Sequence, residues 1–144
     1  MSKVFEDCFM DVQEEMVALC EELAEGTAFE EVYIYGSIEA DATSFNAFYL
    51  THGKVITASK LSNDISMVRQ FLRLGSSDLE KLSAVCKTYN RPVPTEIRMR
   101  YITSSKKLDT HYEYESICNV ENDLLPSDVF MAWKESVEKE IEKN

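Results

Sequence analysis

Three strand-like segments between residues 32 and 58 are separated by gaps too short for a crossover connection. Val32–Ile38, Phe45–Leu50 and Val55–Ala58 are rich in β-branched and aromatic residues, a composition typical of strands. A turn at residues 40–43 separates the first pair, and His52-Gly53 lies between the second pair. Because a parallel pair needs a connection of roughly a dozen residues, these segments predict antiparallel hairpins.

Residues 4–25 predict an amphipathic helix that ends at Gly26, a common helix stop. Its apolar residues recur at intervals of three and four positions and form one stripe. They are Phe5, Cys8, Phe9, Val12, Met16, Leu19, Cys20 and Leu23. The opposite face is acidic, with like charges at i,i+4 that repel one another. Packing of the apolar stripe must hold this helix in place.

Two further helices are predicted between the strand groups. The first covers about residues 64–74 and ends at Gly75. The second begins at a capping box formed by Ser77 and Glu80, and Pro92 ends it.

A second hairpin is predicted at residues 95–103 and 108–116, with its turn at residues 104–107. This placement keeps apolar residues on one face and charged residues on the other. It pairs Met99 with Tyr112, Ile97 with Tyr114, Tyr101 with Thr110, Arg98 with Glu113 and Arg100 with His111.

A final helix is predicted after Pro126, with Ser127 as its capping residue. The predicted order is therefore αβββααββα, which is an α+β fold with an antiparallel sheet packed against helices. At 144 residues the simplest organisation is one domain over residues 1–144.

The negative charge of the chain is confined to its first 53 residues. They contain twelve acidic residues and one lysine, whereas residues 54–144 contain fourteen residues of each sign, so this region accounts for the whole net charge of −11. A local field of one sign favours binding to something basic. It disfavours nucleic acid as a ligand, because nucleic-acid binding requires a basic surface.

Four cysteines lack the spacing of a metal finger or a redox motif. Cys8 and Cys20 fall on one predicted helix, roughly 18 Å apart at the helical rise, which is too far for a disulfide. We expect free thiols in a reducing compartment. No apolar run approaches the length of a membrane span, and the acidic N-terminus is unlike a signal peptide. These features predict a cytoplasmic protein that does not bind membranes.

The sequence contains no motif for a nucleophile elbow, a phosphate loop, a dinucleotide site or a zinc protease. One weaker alternative is a hydrolase or metal site at Asp109, His111 and Glu113, which share a strand face. Arg98 and Arg100 on the partner strand make a solvated row of charges the better interpretation. We therefore expect no enzyme activity, no cofactor and no metal.

A protein partner is the remaining functional prediction. The acidic helix and the first hairpin turn supply the predicted contact residues, which are Asp7, Asp11, Glu14, Glu15, Glu21, Glu22, Glu39 and Asp41. Aromatic side chains would have to supply affinity. Tyr33, Tyr35, Phe48 and Tyr49 are candidates if one sheet face is open, and core residues if both faces are covered.

Five phrases in order along almost the whole chain resemble the YezG/EsaG-type immunity protein family. They are Val32–Ile38, Phe71–Gly75, Tyr89–Glu96, Leu108-Asp109 before Tyr112–Tyr114, and Pro126–Phe130 before Trp133. The resemblance implies a small cytosolic bacterial α+β protein that neutralises a polymorphic toxin, often a nuclease domain. It implies no catalytic motif.

The leading hypothesis is therefore an antitoxin that forms a stoichiometric complex with a cognate, basic toxin domain. Nucleases are basic where they bind phosphates, so an acidic partner could match that surface. The alternative is an acidic cytosolic secretion chaperone that holds an effector segment by strand addition. The two differ in what they bind, since an antitoxin binds a folded domain and a chaperone an extended segment.

Overall fold

The computed structural model describes residues 4–39 and 42–143. The elements in these residues follow the predicted order αβββααββα and form an α+β fold. They are α1 (Phe5–Leu23), β1 (Glu31–Glu39), β2 (Ala42–Thr51), β3 (Lys54–Thr57), α2 (Ala58–Leu61), α3 (Ile65–Thr88), β4 (Glu96–Ile102), β5 (Lys107–Glu113) and α4 (Pro126–Glu142).

The five strands form one antiparallel sheet in the order β3-β2-β1-β4-β5. Its central strand, β1, has apolar side chains on both faces, so both faces must be covered by helices. Tyr33, Tyr35, Phe48 and Tyr49 are accordingly all buried. These four aromatic residues belong to the core and are not available to a partner.

The main core lies between one sheet face and the helices α1 and α3. Met16 and Cys20 of α1 and Leu79 and Leu82 of α3 are fully buried. They pack in one cluster with Val32, Ile34, Ala47, Tyr49, Ile97 and Met99 of the sheet. Burial of each large aliphatic side chain stabilises the fold by about 1.5–3 kcal/mol, which offsets the repulsion among the acids of α1.

A smaller core lies under α4 on the other face of the sheet. Phe130 and Val137 of α4 pack with Tyr33, Tyr35 and Phe48. Trp133 lies edge-on to Phe48, with the ring centroids 5.1 Å apart. The buried partners of α4 come from β1 and β2. On this face of β4 and β5, Glu96 is buried and Arg98 half-buried, whereas Arg100, Asp109 and His111 remain exposed.

The two helices predicted at residues 64–74 and after Ser77 are one continuous helix, α3. Gly75 does not end it, because this residue is buried where the ring of Phe45 passes over the helix. Asp64 caps α3 by accepting a hydrogen bond from Met67 N at 3.2 Å. The second helix along the chain is instead the four-residue α2, and α3 is the third.

The predicted pairing of the second hairpin is wrong by two residues. Ile97 lies opposite Tyr112 and Arg98 opposite His111, with the turn at residues 103–106. The assignment of residues to the two faces is nevertheless as predicted, because side chains alternate with a period of two.

The start of α4 also differs from the prediction. The helix begins at Pro126, and Leu125 N donates to Asp128 Oδ2 at 2.9 Å. Ser127 therefore lies inside the helix and is not its cap.

The four cysteines, Cys8, Cys20, Cys86 and Cys118, are free thiols. Among the helices at residues 4–39 and 42–143, none has the length and apolar character needed to cross a membrane.

Candidate functional site

The acidic face of α1 is the candidate site. We call Asp7, Asp11, Glu14, Glu15, Glu21 and Glu22 the acidic ridge. The apolar stripe of α1 turns toward the sheet and α3, so these six side chains face outward. All are exposed except Asp11, which is half-buried. The structure thus brings six of the eight predicted contact residues onto one helix face that is roughly 22 Å long, at about 1.5 Å per residue.

The position of this helix is set by a buried polar side chain in its apolar stripe. Gln13 is fully buried. Its Nε2 donates to the hydroxyl of Tyr112, and its Oε1 accepts from Thr110 Oγ1, both at 2.9 Å. Gln13 was not among the residues predicted from the sequence, although a single amide within an apolar stripe is the signal that could have identified it.

Only part of the acidic ridge is neutralised. Glu15 forms an ion pair with Lys81 of α3 at 3.2 Å. Asp7, Glu14, Glu21 and Glu22 form no ion pair or hydrogen bond with any residue in the described ranges 4–39 and 42–143. Four carboxylates of the ridge thus have no ion-pair partner among the described residues, and a local excess of one charge attracts a basic partner.

A buried acid lies beneath the ridge where α1 meets α3. Asp78 is buried, and Lys81 Nζ lies 3.8 Å from its Oδ1. Burial is the main cause, and Glu15 a second cause, of a rise in the pKa of Asp78 to about 6. This interface therefore carries a carboxyl group that titrates near neutral pH.

Two grooves flank the acidic ridge. The first has a volume of about 300 Å³ and separates α1 from the end of the second hairpin. It is lined by Met10, Glu14, Val17, Glu21, Tyr101, Lys106 and Leu108. The second is about 130 Å³ and lies between α1 and α3, lined by Leu19, Glu22, Leu23, Met67, Gln70, Phe71 and Leu74. Met10, Met67 and Leu74 are 41–43% exposed. These three side chains can supply apolar contacts to a partner, which is the role predicted for Tyr33, Tyr35, Phe48 and Tyr49 if one sheet face were open.

Glu39 does not belong to the ridge. Its carboxylate accepts hydrogen bonds from Ser116 Oγ at 2.7 Å, Ile117 N at 3.0 Å and Cys118 N at 2.8 Å. It lines a separate groove beside the C-terminal half of α3. Glu39 therefore holds the loop before α4 in place. Asp41, the other predicted turn residue, lies outside the described residues.

A further groove, of about 760 Å³, lies between α4 and the open half of the sheet. Arg98 ion-pairs with buried Glu96 at 3.1 Å, and its guanidinium lies 5.3 Å from the centre of the Trp133 ring. Arg100 ion-pairs with Glu31. The cations of this groove are thus already paired.

The alternative hydrolase or metal site predicted at Asp109, His111 and Glu113 lies on this same charged face of the sheet. His111 Nε2 lies 2.7 Å from Glu113 Oε1. Within the part of the chain that the structure describes, no group of three His, Cys, Asp or Glu side chains could hold a metal ion.

Comparisons of the sequence with family models and with curated proteins identified no relative of this chain. No protein-family model matches the chain, and no curated protein matches it significantly.

Proposed function

We propose that this protein is a cytoplasmic immunity protein that binds and neutralises a cognate toxin domain. The observation that carries the proposal is the set of exposed carboxylates on α1 that have no ion-pair partner among the described residues, beside grooves that expose Met10, Met67 and Leu74. A basic protein surface would neutralise the carboxylates, which speeds association and selects the partner. Apolar side chains of the partner would enter the grooves and contribute affinity.

A nuclease domain is the toxin that this surface fits best. The phosphate-binding surface of a nuclease is basic, because it must neutralise a backbone with about one charge per 1.7 Å of duplex. An acidic helix placed over that surface would exclude the substrate and form a one-to-one complex. The resemblance to the YezG/EsaG-type family favours the same partner class.

Co-purification of the tagged full chain from its host, with the partner identified by mass, tests the proposal. The affinity of that partner is then measured for the triple variant Glu14→Lys, Glu21→Lys and Glu22→Lys. We expect a loss of at least a hundredfold, since three attractive contacts become repulsive. The matched control carries Glu121→Lys, Glu135→Lys and Glu142→Lys, three exposed acids away from α1, and should bind like the wild type. Equal affinity of both triple variants would remove the ridge from the interface.

The open edge of β5 favours a second candidate function, secretion chaperone. An edge strand can accept an extended segment by strand addition. The form of the bound partner separates the two functions. A folded, inactive domain protected as a whole from proteolysis indicates an antitoxin, whereas a short extended segment of an otherwise unfolded partner indicates a chaperone.

A further inference from the structure

The strand β5 is an open edge of the sheet. It pairs with β4 on one side, and no strand of residues 4–39 or 42–143 lies on its other side. The carbonyl oxygen of Glu113 accepts from Thr95 N at 2.8 Å, so it points inward. Because backbone groups alternate along a strand, those of Leu108, Thr110 and Tyr112 point to the open side. The opposite edge, β3, has only four residues and runs directly into α2, which makes it a protected edge.

The sequence of this edge is complementary to itself. In an antiparallel pair of two β5 strands centred on Thr110, Lys107 lies opposite Glu113 of the second copy and Asp109 opposite His111 of the second copy. Leu108 and Tyr112 meet on the other face. The side chains of Lys107, Asp109 and His111 are more than half exposed. Within one copy Lys107 lies 3.8 Å from Asp109 and His111 lies 2.7 Å from Glu113, so the dimer exchanges pairs along the strand for pairs across the two-fold axis.

Of the registers centred on Asp109, Thr110 and His111, only the one centred on Thr110 places Lys107 opposite Glu113 and no acid opposite another acid. A shift of two residues in one direction places Asp109 opposite Asp109 of the second copy. The shift in the other direction places Asp109 opposite Glu113 of the second copy. Like charges directly across a strand pair are destabilising, and a shift of one residue exchanges the two faces.

We propose that two copies of this chain associate through antiparallel pairing of their β5 strands, about a two-fold axis at Thr110. The result is a continuous ten-stranded sheet with an isologous interface. The outward amides and carbonyls of Leu108, Thr110 and Tyr112 are then satisfied. This dimer does not require the proposed antitoxin function, because its interface is the edge of β5, although Glu14 and Glu21 of the acidic ridge line the groove next to that edge.

Two acids oppose this association. Glu14 and Glu21 line the groove next to Leu108, so the two copies of α1 bring like charges toward each other. Replacing both by Gln should therefore tighten the dimer. A dimer formed through a face remote from α1 and β5 would not respond in this way.

Analytical ultracentrifugation of the full chain tests the proposal. The wild type should sediment as a concentration-dependent dimer of 16.5 kDa chains. Lys107→Glu and Glu113→Lys should each raise the dimer Kd about tenfold, since each places two like-charged pairs across the axis. The double variant, which exchanges the charges, should restore the wild-type Kd. Lys60→Glu, a matched reversal in α2 at the opposite edge, should leave it unchanged.

Amide hydrogen exchange supplies a backbone readout. The amides of Leu108, Thr110 and Tyr112 should become protected in proportion to the dimer fraction, whereas those of Asp109 and His111 are already bonded to β4 and should not change. A monomer at all concentrations, or a dimer whose Kd ignores the Lys107 and Glu113 reversals, would overturn the proposal. Protection of the same amides only by an extended partner segment would overturn it too, and would support the chaperone function.

Discussion

The side-chain amide of Gln13 in α1 donates a hydrogen bond to the hydroxyl of Tyr112 in β5 across 99 residues of sequence, at 2.9 Å. The same side chain accepts from Thr110 Oγ1, so both ends of one buried amide are satisfied by a single edge strand. This contact joins the helix that carries the acidic ridge to the strand that carries the open edge. The two proposed interaction surfaces are therefore held in one fixed relation.

Replacing Gln13 by Met should destabilise the protein by about 1–3 kcal/mol, because the hydroxyls of Tyr112 and Thr110 lose their buried partner. Urea unfolding measures this change. Tyr112→Phe removes one of the two hydroxyls that Gln13→Met leaves without a hydrogen-bond partner. The double variant should therefore lose less stability than the sum of the single variants. Strictly additive losses would show that the two side chains are not coupled.

Gly75→Ala should destabilise the protein by about 1–3 kcal/mol although alanine is the better helix former. A Cβ at this position would lie 2.0 Å from the ring of Phe45, and a ring in a packed core cannot move that far without strain. The unfolding free energy in urea gives the loss. Ser77→Ala, at an exposed position of the same helix, is the control and should be neutral or slightly stabilising. A stabilised Gly75→Ala variant would contradict the packing argument.

Local patterns predicted the existence of nearly every element but not the role of Gly75. A glycine after an apolar helical run normally marks a C-terminus, because it can adopt positive φ. Here Gly75 remains helical, and its missing side chain makes room for Phe45. That reason is tertiary, so the alternation of residues along α3 could not reveal it.

The pairing of β4 with β5 shows a second limit. Alternation assigns faces with a period of two, and it is equally satisfied by registers that differ by two residues. The observed register has its turn at residues 103–106. Thr103 N and Oγ1 bond to the carbonyl oxygen of Glu30 at 3.0 Å each, and Lys106 adopts a positive φ of 57° within the turn. Neither feature can be read from alternation along the two strands.

The acidic ridge could be predicted because one amphipathic helix fixes both its buried and its exposed face. The grooves beside it could not, since each is formed by α1 together with a segment distant in sequence. The role of Glu39 was hidden for the same reason, because its hydrogen-bond donors at residues 116–118 lie far along the chain.

Glu39→Ala should affect the loop before α4 rather than partner binding. Its carboxylate accepts hydrogen bonds from two backbone amides and a hydroxyl. Removing the carboxylate leaves those donors without a partner, at a cost of about 1–3 kcal/mol in stability. Hydrogen exchange at Ile117 and Cys118 should become faster, while the affinity for the co-purified partner stays unchanged. Glu115→Ala, an exposed acid nearby, is the control and should change neither. A loss of partner affinity in a variant with unchanged exchange would instead assign Glu39 to the interface.

Asp78 should make the stability of the α1–α3 interface depend on pH. Its pKa is raised from 3.8 to about 6, by burial and then by Glu15, so the folded state binds this proton more tightly than the unfolded state. The contribution of the protonated Asp78 to the free energy of unfolding is therefore fully present below pH 4 and is lost as the pH rises through about 6. Asp78→Asn removes the titration and should raise the unfolding free energy at pH 7.5 by about 1 kcal/mol, after allowance for screening by solvent and Lys81. Urea unfolding at pH 7.5 and pH 5 measures the difference, which should shrink at pH 5, and Glu135→Gln on α4 is the exposed control. A difference that grows as the pH falls would show that the pKa of Asp78 is lowered instead.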